Sequence, residues 1–182
     1  VEHLTLLLPQ KVGAQLSVNS LKVELNVGYD TVVHWLDLLE RLYFIYRISP
    51  FTKKFSRSLK KEKKLYFWDW ATLKDPAARL ENMVASHLLK SVHLWNDLGY
   101  GKFGLHYYRD KEKREVDFIL TQDDEPVLAV ECKTSQEEIS PSLLHILKIY
   151  PDLPCVQIVR TPNVYKKSLN RIRLMSLDRF LN

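Results

Sequence analysis

Two short runs in this sequence combine carboxylates and an amine at a spacing suited to phosphodiester chemistry. They are Arg114-Glu115-Val116-Asp117-Phe118-Ile119-Leu120 and Val127-Leu128-Ala129-Val130-Glu131-Cys132-Lys133. Side chains alternate across a strand, so Glu131 and Lys133 share a face, with Cys132 opposite. Asp117 stands inside an otherwise apolar run, and thirteen residues separate it from Glu131, which suits a hairpin that brings the two together. Charges at such positions are costly to bury unless they are paired or hold a metal. Asp117 and Glu131 supply the hard oxygen donors that Mg²⁺ or Mn²⁺ prefers. Such an ion polarises a phosphodiester and helps form hydroxide from bound water, while Lys133 orients that water or stabilises developing negative charge. The plainer alternative is a solvent-facing Glu131–Lys133 salt bridge at a strand end.

The elements that must position these groups follow from periodicity. Residues 77–95 read as a helix, and three strands follow at 103–109, 114–120 and 127–133. Ser140 and Pro141 make an N-cap and first-turn pair for a helix through Ile149. Cys155–Arg160 is a further apolar strand and Ile172–Met175 a candidate for another. A hairpin meander followed by a helical crossover implies a mixed sheet flanked by helices. Upstream, Glu2–Leu8 and Ser17–Leu25 read as helices. A third helix, opened by Tyr29 or Asp30, runs to about Leu42, with Val32, Trp35, Leu36 and Leu39 at buried-stripe spacing. Tyr43–Ile48 and Lys64–Trp68 then pair as a hairpin. Three helices and a hairpin outline a winged helix-turn-helix, with a hinge at Ala71–Pro76 between the two parts.

The chain has 182 residues, 46% hydrophobic and 27% charged, enough for one large or two small cores. No apolar run reaches the roughly 18 residues of a membrane span, and no secretory signal opens the sequence. The first residue is Val1 rather than Met, so we expect the chain to begin inside a longer polypeptide. Cys132 and Cys155 lie in apolar strands and are expected as reduced, buried thiols in a cytoplasmic protein. The net charge of +5 is localised. Residues 53–64 hold seven bases and one acid, leaving about −1 for the remainder. This wing-like loop, through Lys53, Lys54, Arg57, Lys60, Lys61, Lys63 and Lys64, is the candidate contact for nucleic-acid phosphates, or else a solvated loop.

Other features are weaker. The third helix presents Asp30, His34, Asp37 and Arg41 opposite its apolar stripe, a poor set for reading bases. Gly99-Tyr100-Gly101-Lys102-Phe103-Gly104 matches a dinucleotide fingerprint by letter, but it leads from a helix into a strand and is expected as a connecting turn. The six histidines show no zinc-like grouping. Tyr66, Phe67, Trp68 and Trp70 are expected as a core seam between the two parts rather than as a base-stacking surface.

Asp117 followed by Glu131-Cys132-Lys133 resembles the PD-(D/E)xK nuclease motif, in the form Asp, spacer, Glu-x-Lys, with Val116 where the eponymous Pro would stand. The resemblance implies an αβββαβ restriction-endonuclease-like core with a mixed sheet, the order read above. It also implies a Glu on the first helix completing the site, and Arg79-Leu80-Glu81-Asn82-Met83-Val84 places Glu81 there. The chain as a whole resembles the carboxy-terminal region of a prokaryotic family of AAA-type ATPases. The carriers are Thr31-Val32-Val33-His34-Trp35-Leu36 with Leu39-Glu40, Lys64-Leu65-Tyr66-Phe67-Trp68-Asp69, Leu80-Glu81-Asn82, Glu115-Val116-Asp117-Phe118 and Val130-Glu131-Cys132-Lys133. That implies an ATP-binding domain upstream in the same polypeptide. No Gly-x-x-x-x-Gly-Lys-Ser/Thr occurs here, so no ATP site is expected in this part.

The expectation is therefore an α+β or α/β chain: a winged helix-turn-helix over residues 1–70, then a nuclease-like domain over residues 75–182. Asp117, Glu131 and Glu81 are the candidate ligands of Mg²⁺ or Mn²⁺, and Lys133 is the candidate electrostatic catalyst. The expected function is metal-dependent hydrolysis of DNA. The alternatives are an inactive nuclease-fold module that binds DNA or protein and regulates the ATPase, and a transcriptional regulator acting through the winged helix. Self-association is left open.

Overall fold

The computed structural model describes residues 1–52, 62–135, 138–167 and 171–181. Most of the basic segment, residues 53–61, lies outside them. Helix α1 (Glu2–Leu7) runs into a 3-10 turn at Leu8–Lys11 that contains Pro9. Helix α2 (Val18–Leu25) is capped by the Ser17 hydroxyl, which accepts the Ser20 N–H at 3.4 Å. It ends at Asn26 in the left-handed region (φ 52), where the short polar side chain tolerates what most L-residues avoid. Helix α3 (Tyr29–Arg41) buries Val32, Leu36 and Leu39.

Strands β1 (Ile45–Pro50) and β2 (Lys64–Phe67) pair antiparallel, Ile45 opposite Phe67. Alternation divides the hairpin between two cores. Ile45, Leu65 and Phe67 pack with Leu4, Leu21, Val32 and Leu36, whereas Tyr46, Ile48 and Tyr66 join the core beneath the following long helix. Tyr66 thus lies in the core seam expected for it. The strand begins at Ile45 rather than Tyr43, because Tyr43 takes a positive φ of 54 as the chain leaves α3.

Helix α4 (Pro76–Asp97) is started by Asp75, whose carboxylate accepts the Ala78 N–H at 2.8 Å, with Pro76 in the first turn. Leu80, Val84, Ala85, Leu88 and Val92 form its buried face. The Gly99–Gly104 run is the turn leading into β3 (Phe103–Arg109), with Gly99 at φ 72 and Gly101 at φ 143. Strands β4 (Glu115–Gln122) and β5 (Glu125–Lys133) complete a meander, turning on Asp123 and Asp124, both at positive φ. Helix α5 (Pro141–Ile149) crosses to β6 (Cys155–Val159), which lies parallel to β5. Strands β7 (Tyr165–Lys167) and β8 (Ile172–Ser176) and a short helix α6 (Leu177–Leu181) end the chain.

The result is one mixed eight-stranded sheet in the order β2-β1-β3-β4-β5-β6-β8-β7. The sheet continues across the expected boundary near residue 75, because β1 pairs in parallel with β3 at Ser49–His106 and Pro50–Tyr107. Helix α4 covers one face over Phe118, Leu120 and Val130. On the other, Leu143 and Ile146 of α5 pack on Val116, Ile119 and Ala129. No helix among the described residues is long and apolar enough to cross a membrane.

Candidate functional site

Two irregularities of the sheet create the site. Between the pairs His106–Ile119 and Tyr108–Val116, one residue of β3 (Tyr107) faces two of β4, Asp117 and Phe118. Such a bulge interrupts strict alternation and re-aims a side chain. Val116 therefore points into the α5 core and Phe118 into the α4 core, and Asp117 turns to the side where Glu81 stands. The second irregularity is a fork. Strand β4 pairs with β5 from Gln122–Glu125 only as far as Phe118–Val130. Beyond that, β4 stays with β3 and β5 stays with β6.

Backbone N–H groups in such a fork lose their ladder partners and must find others. Here they find the candidate carboxylates. The Cys132 N–H donates to Asp117 Oδ2 at 2.8 Å, and the Asp117 N–H donates to Glu131 Oε2 at 3.4 Å. Each strand thus fixes the acid of the other. Glu131 is 3% exposed and accepts further bonds at Oε1 from Lys133 Nζ (2.8 Å) and the Ser140 hydroxyl (3.1 Å). Ser140 is also the N-cap of α5, and its N–H donates to Gln157 Oε1 at 2.7 Å, so the crossover helix is tied to the same carboxylate.

Glu81 arrives from α4. Its Oε1 accepts the Tyr66 hydroxyl at 2.8 Å and Lys64 Nζ at 3.3 Å. Asn82, next along the helix, is fully buried and clips α4 to β2. Its Oδ1 accepts the Phe67 N–H and its Nδ2 donates to the Phe67 carbonyl, both at 2.7 Å. On the other side of Glu81 runs Gly13 at φ 72, where a Cβ would stand 2.8 and 2.9 Å from the two carboxylate oxygens. A side chain there would adopt a strained φ and displace the Glu81 carboxylate. The Gly13 N–H donates to the Leu65 carbonyl, holding this segment along the edge of β2.

Nothing in the sequence marks Lys64 as part of this site; it reads as the last lysine of a solvated basic run. Its side chain is 1% exposed, with Nζ 2.7 Å from Glu115 Oε1, 3.3 Å from Glu81 Oε1 and 3.6 Å from Asp117 Oδ1. The expectation that Lys64 contacts phosphate is corrected accordingly, since strand alternation puts it on the Tyr66 face of β2, toward three acids. Of the other basic candidates, Lys63 is described and offers its carbonyl to the Leu16 N–H. Lys53, Lys54, Arg57, Lys60 and Lys61 lie outside the described residues. Glu115, equally unmarked by spacing, pairs with both Lys64 and Arg109. On α3, Asp37 is engaged by Arg47 together with Glu40.

The electrostatics show a site short of positive charge. Burial, then the Asp117 carboxylate, push Glu81 up to about 7, against the lowering effect of Lys64 and Tyr66. The same two causes push Glu131 up to about 7, opposed by Lys133 and Ser140. Burial alone would lower the Lys64 ammonium, but Glu81, Asp117 and Glu115 more than offset it, so its pKa lies above the usual value. Burial, followed by the surrounding carboxylates, holds the Cys132 thiol well above its usual range.

The donor set has the chemistry of a hard divalent cation: carboxylate oxygens, buried, with mutual repulsion that a cation would relieve. As they stand, the acids are divided between two lysines, Lys133 on Glu131 and Lys64 on the others. Among the described residues no group of three or more His, Cys, Asp or Glu converges closely enough to hold an ion. The fit is therefore to Asp117 and Glu131, the pair meeting at the fork.

Comparison with known proteins adds the following. A second protein-family model, described as "Domain of unknown function (DUF8612)", matches residues 1–82. A search of the curated proteins found no match. A solved structure, the half-complex from a tetradecameric assembly of Thermococcus gammatolerans McrB AAA+ hexamers with bound McrC, shares 11% identity and a TM-score of 0.33 over 56% of this chain. The present chain spans 27% of that structure's chain, and a likeness of this size carries no structural argument. The model described as "Domain of unknown function (DUF4143)" matches residues 77–180, more than half of the chain and all of the forked site, and the chain belongs to that family.

Proposed function

We propose that this chain is the nucleic-acid-processing end of an AAA-type ATPase, a winged helix followed by a nuclease-fold domain that hydrolyses DNA phosphodiester bonds with Mg²⁺ or Mn²⁺. The observation that carries this reading is the β4–β5 fork, which delivers Asp117, Glu131 and Lys133 to one point and holds each acid by the other strand's backbone. The ATPase connection rests on the sequence resemblance, and the winged-helix reading on the order of three helices and a hairpin.

Asp117 and Glu131 would hold the ion, which supplies Lewis-acid polarisation of the phosphate and a more acidic bound water. The chain's own groups do the remainder. Lys133, half-exposed and hydrogen-bonded to Glu131, is placed to reach a phosphate oxygen as charge develops. Ser140 and the Cys132 N–H fix the two carboxylates, so little reorganisation is needed when substrate arrives. The basic residues 53–63 would lie along phosphates outside the reacting bond.

The test is incubation of the purified chain with plasmid and with single-stranded DNA in Mg²⁺ or Mn²⁺, alongside Lys133→Ala, Asp117→Ala and an EDTA control. Cleavage by the unmodified chain alone supports the reading. Equal cleavage by Asp117→Ala would expose a contaminant. A second reading, an inactive nuclease-fold module that binds DNA or protein and regulates the ATPase, is favoured by one observation: the cluster acids already have lysine or hydroxyl partners within the chain. It expects DNA affinity that survives Asp117→Ala and disappears when the basic loop is neutralised.

A further inference from the structure

Lys64 has no part in the cleavage reading above, yet it is one of the most deeply buried charges in the described chain. A buried ammonium persists only where opposite charge surrounds it, and this one has three carboxylates within 3.6 Å. It is also walled in. Its strand is paired to β1 at Ile48 and bridged on its outer edge by Gln15. The Tyr107 ring lies 5.6 Å from Nζ, and the Tyr107 hydroxyl is fixed by the Glu62 carbonyl and the Gln15 side chain. Among the described residues, β1, Gln15 and Tyr107 hem Lys64 in.

We infer that Lys64 is a resident cation, permanently seated between Glu81 and Asp117, so that the site accepts a single divalent ion, at Asp117 and Glu131. This deepens the cleavage reading and rests on it. Many phosphodiesterases bridge two metal ions about 3.5–4 Å apart, and Glu81 with Asp117 would be the natural second seat. A divalent ion there would need to approach each oxygen to about 2 Å, in the space the ammonium fills 3.3 Å from Glu81 Oε1 and 3.6 Å from Asp117 Oδ1. Glu81 is then a positioning residue, an anchor of Lys64 beside the closer Glu115, and not a metal ligand. Tyr66, which donates to its carboxylate, and Gly13, which leaves that carboxylate room, serve the same purpose.

The experiment counts Mn²⁺ bound to the full chain, by isothermal titration calorimetry and by electron paramagnetic resonance of free Mn²⁺. It compares the unmodified protein, Lys64→Met, which keeps the aliphatic stem without the charge, and Glu81→Gln. The expected result is one Mn²⁺ for the unmodified chain, two for Lys64→Met, and one for Glu81→Gln with its dissociation constant within about threefold of the parent. Two ions on the unmodified chain, or a single ion on both the unmodified chain and a folded Lys64→Met, overturns the inference. If Lys64→Met does not fold, Glu81→Gln decides: a loss of affinity of tenfold or more would make Glu81 a ligand and overturn it. Absence of binding to the unmodified chain would instead overturn the cleavage reading. In that event, binding regained by Lys64→Met upholds the seated cation, and no binding by either protein removes both ideas.

Discussion

Replacing Asn82 with Ala should destabilise this chain by about 4 kcal/mol, although the residue touches none of the reacting groups. Asn82 is 0% exposed, and its amide makes both hydrogen bonds available to the outer side of the Phe67 peptide, each at 2.7 Å. Alanine leaves a buried N–H and a buried C=O without partners, at roughly 1–3 kcal/mol for each. Water has poor access, since Phe67 itself lies in the amino-terminal core. With a urea m-value of about 2 kcal/mol per molar, within the range usual for small proteins, the midpoint should fall by about 2 M. Asn82→Asp keeps the shape and one acceptor but sets a carboxylate against the Phe67 carbonyl, and should lose at least as much. A midpoint shift below about 0.5 M in both variants would refute the reasoning. It would mean that α4 is held to β2 by apolar packing alone, and that the placement of Glu81 beside Lys64 does not depend on the Asn82 clip.

Two further outcomes follow from the same geometry. Glu81 and Glu131 are both raised to about 7 from an ordinary value near 4.5, so the metal-free folded chain binds protons that the unfolded chain releases. Their contribution is present at low pH and is lost as pH rises through about 7; urea midpoints at pH 5.5 and 8 should therefore differ in favour of the lower pH, and a Glu81→Gln/Glu131→Gln double variant that kept the same slope would contradict this. Gly13→Ala should cost about 2 kcal/mol, part from a positive φ and part from displacing the Glu81 carboxylate; thermal melting unchanged within a degree would show that the segment relaxes freely.

How far the sequence discloses this molecule depends on whether a feature is local. The Ser140-Pro141 start of α5 and the strand 103–109 are written in neighbouring residues and stand where spacing places them, whereas Asp75 and Pro76, which read as part of a hinge, open α4. Tyr43 and Phe44 have strand-like side chains, but the exit from α3 claims them, and the strand is delayed to Ile45. The short strand at Tyr165–Lys167 has too few residues to show a period. The site divides the same way. Glu131 and Lys133 share a face by simple alternation, whereas the bulge at Asp117 exists only through pairing with Tyr107. Lys64 is the clearest case: charge counting assigns it to solvent, and its burial is decided by acids 17, 51 and 53 residues away in the chain.

The parallel seam of β1 with β3 has a consequence for inheritance. The ammonium of Lys64 and the hydroxyl of Tyr66 come from one side of that seam, and Glu81, Glu115 and Asp117 from the other. A recombination joint between residues 72 and 76 would bring together halves that had not been selected for each other's charges. A hybrid lacking the lysine would carry three crowded acids with one fewer cation, and one lacking the acids would bury a bare ammonium. A half from another chain would fit here only if it brought the matching charges. The two family matches overlap at residues 77–82, the helical turn that carries Glu81 and Asn82.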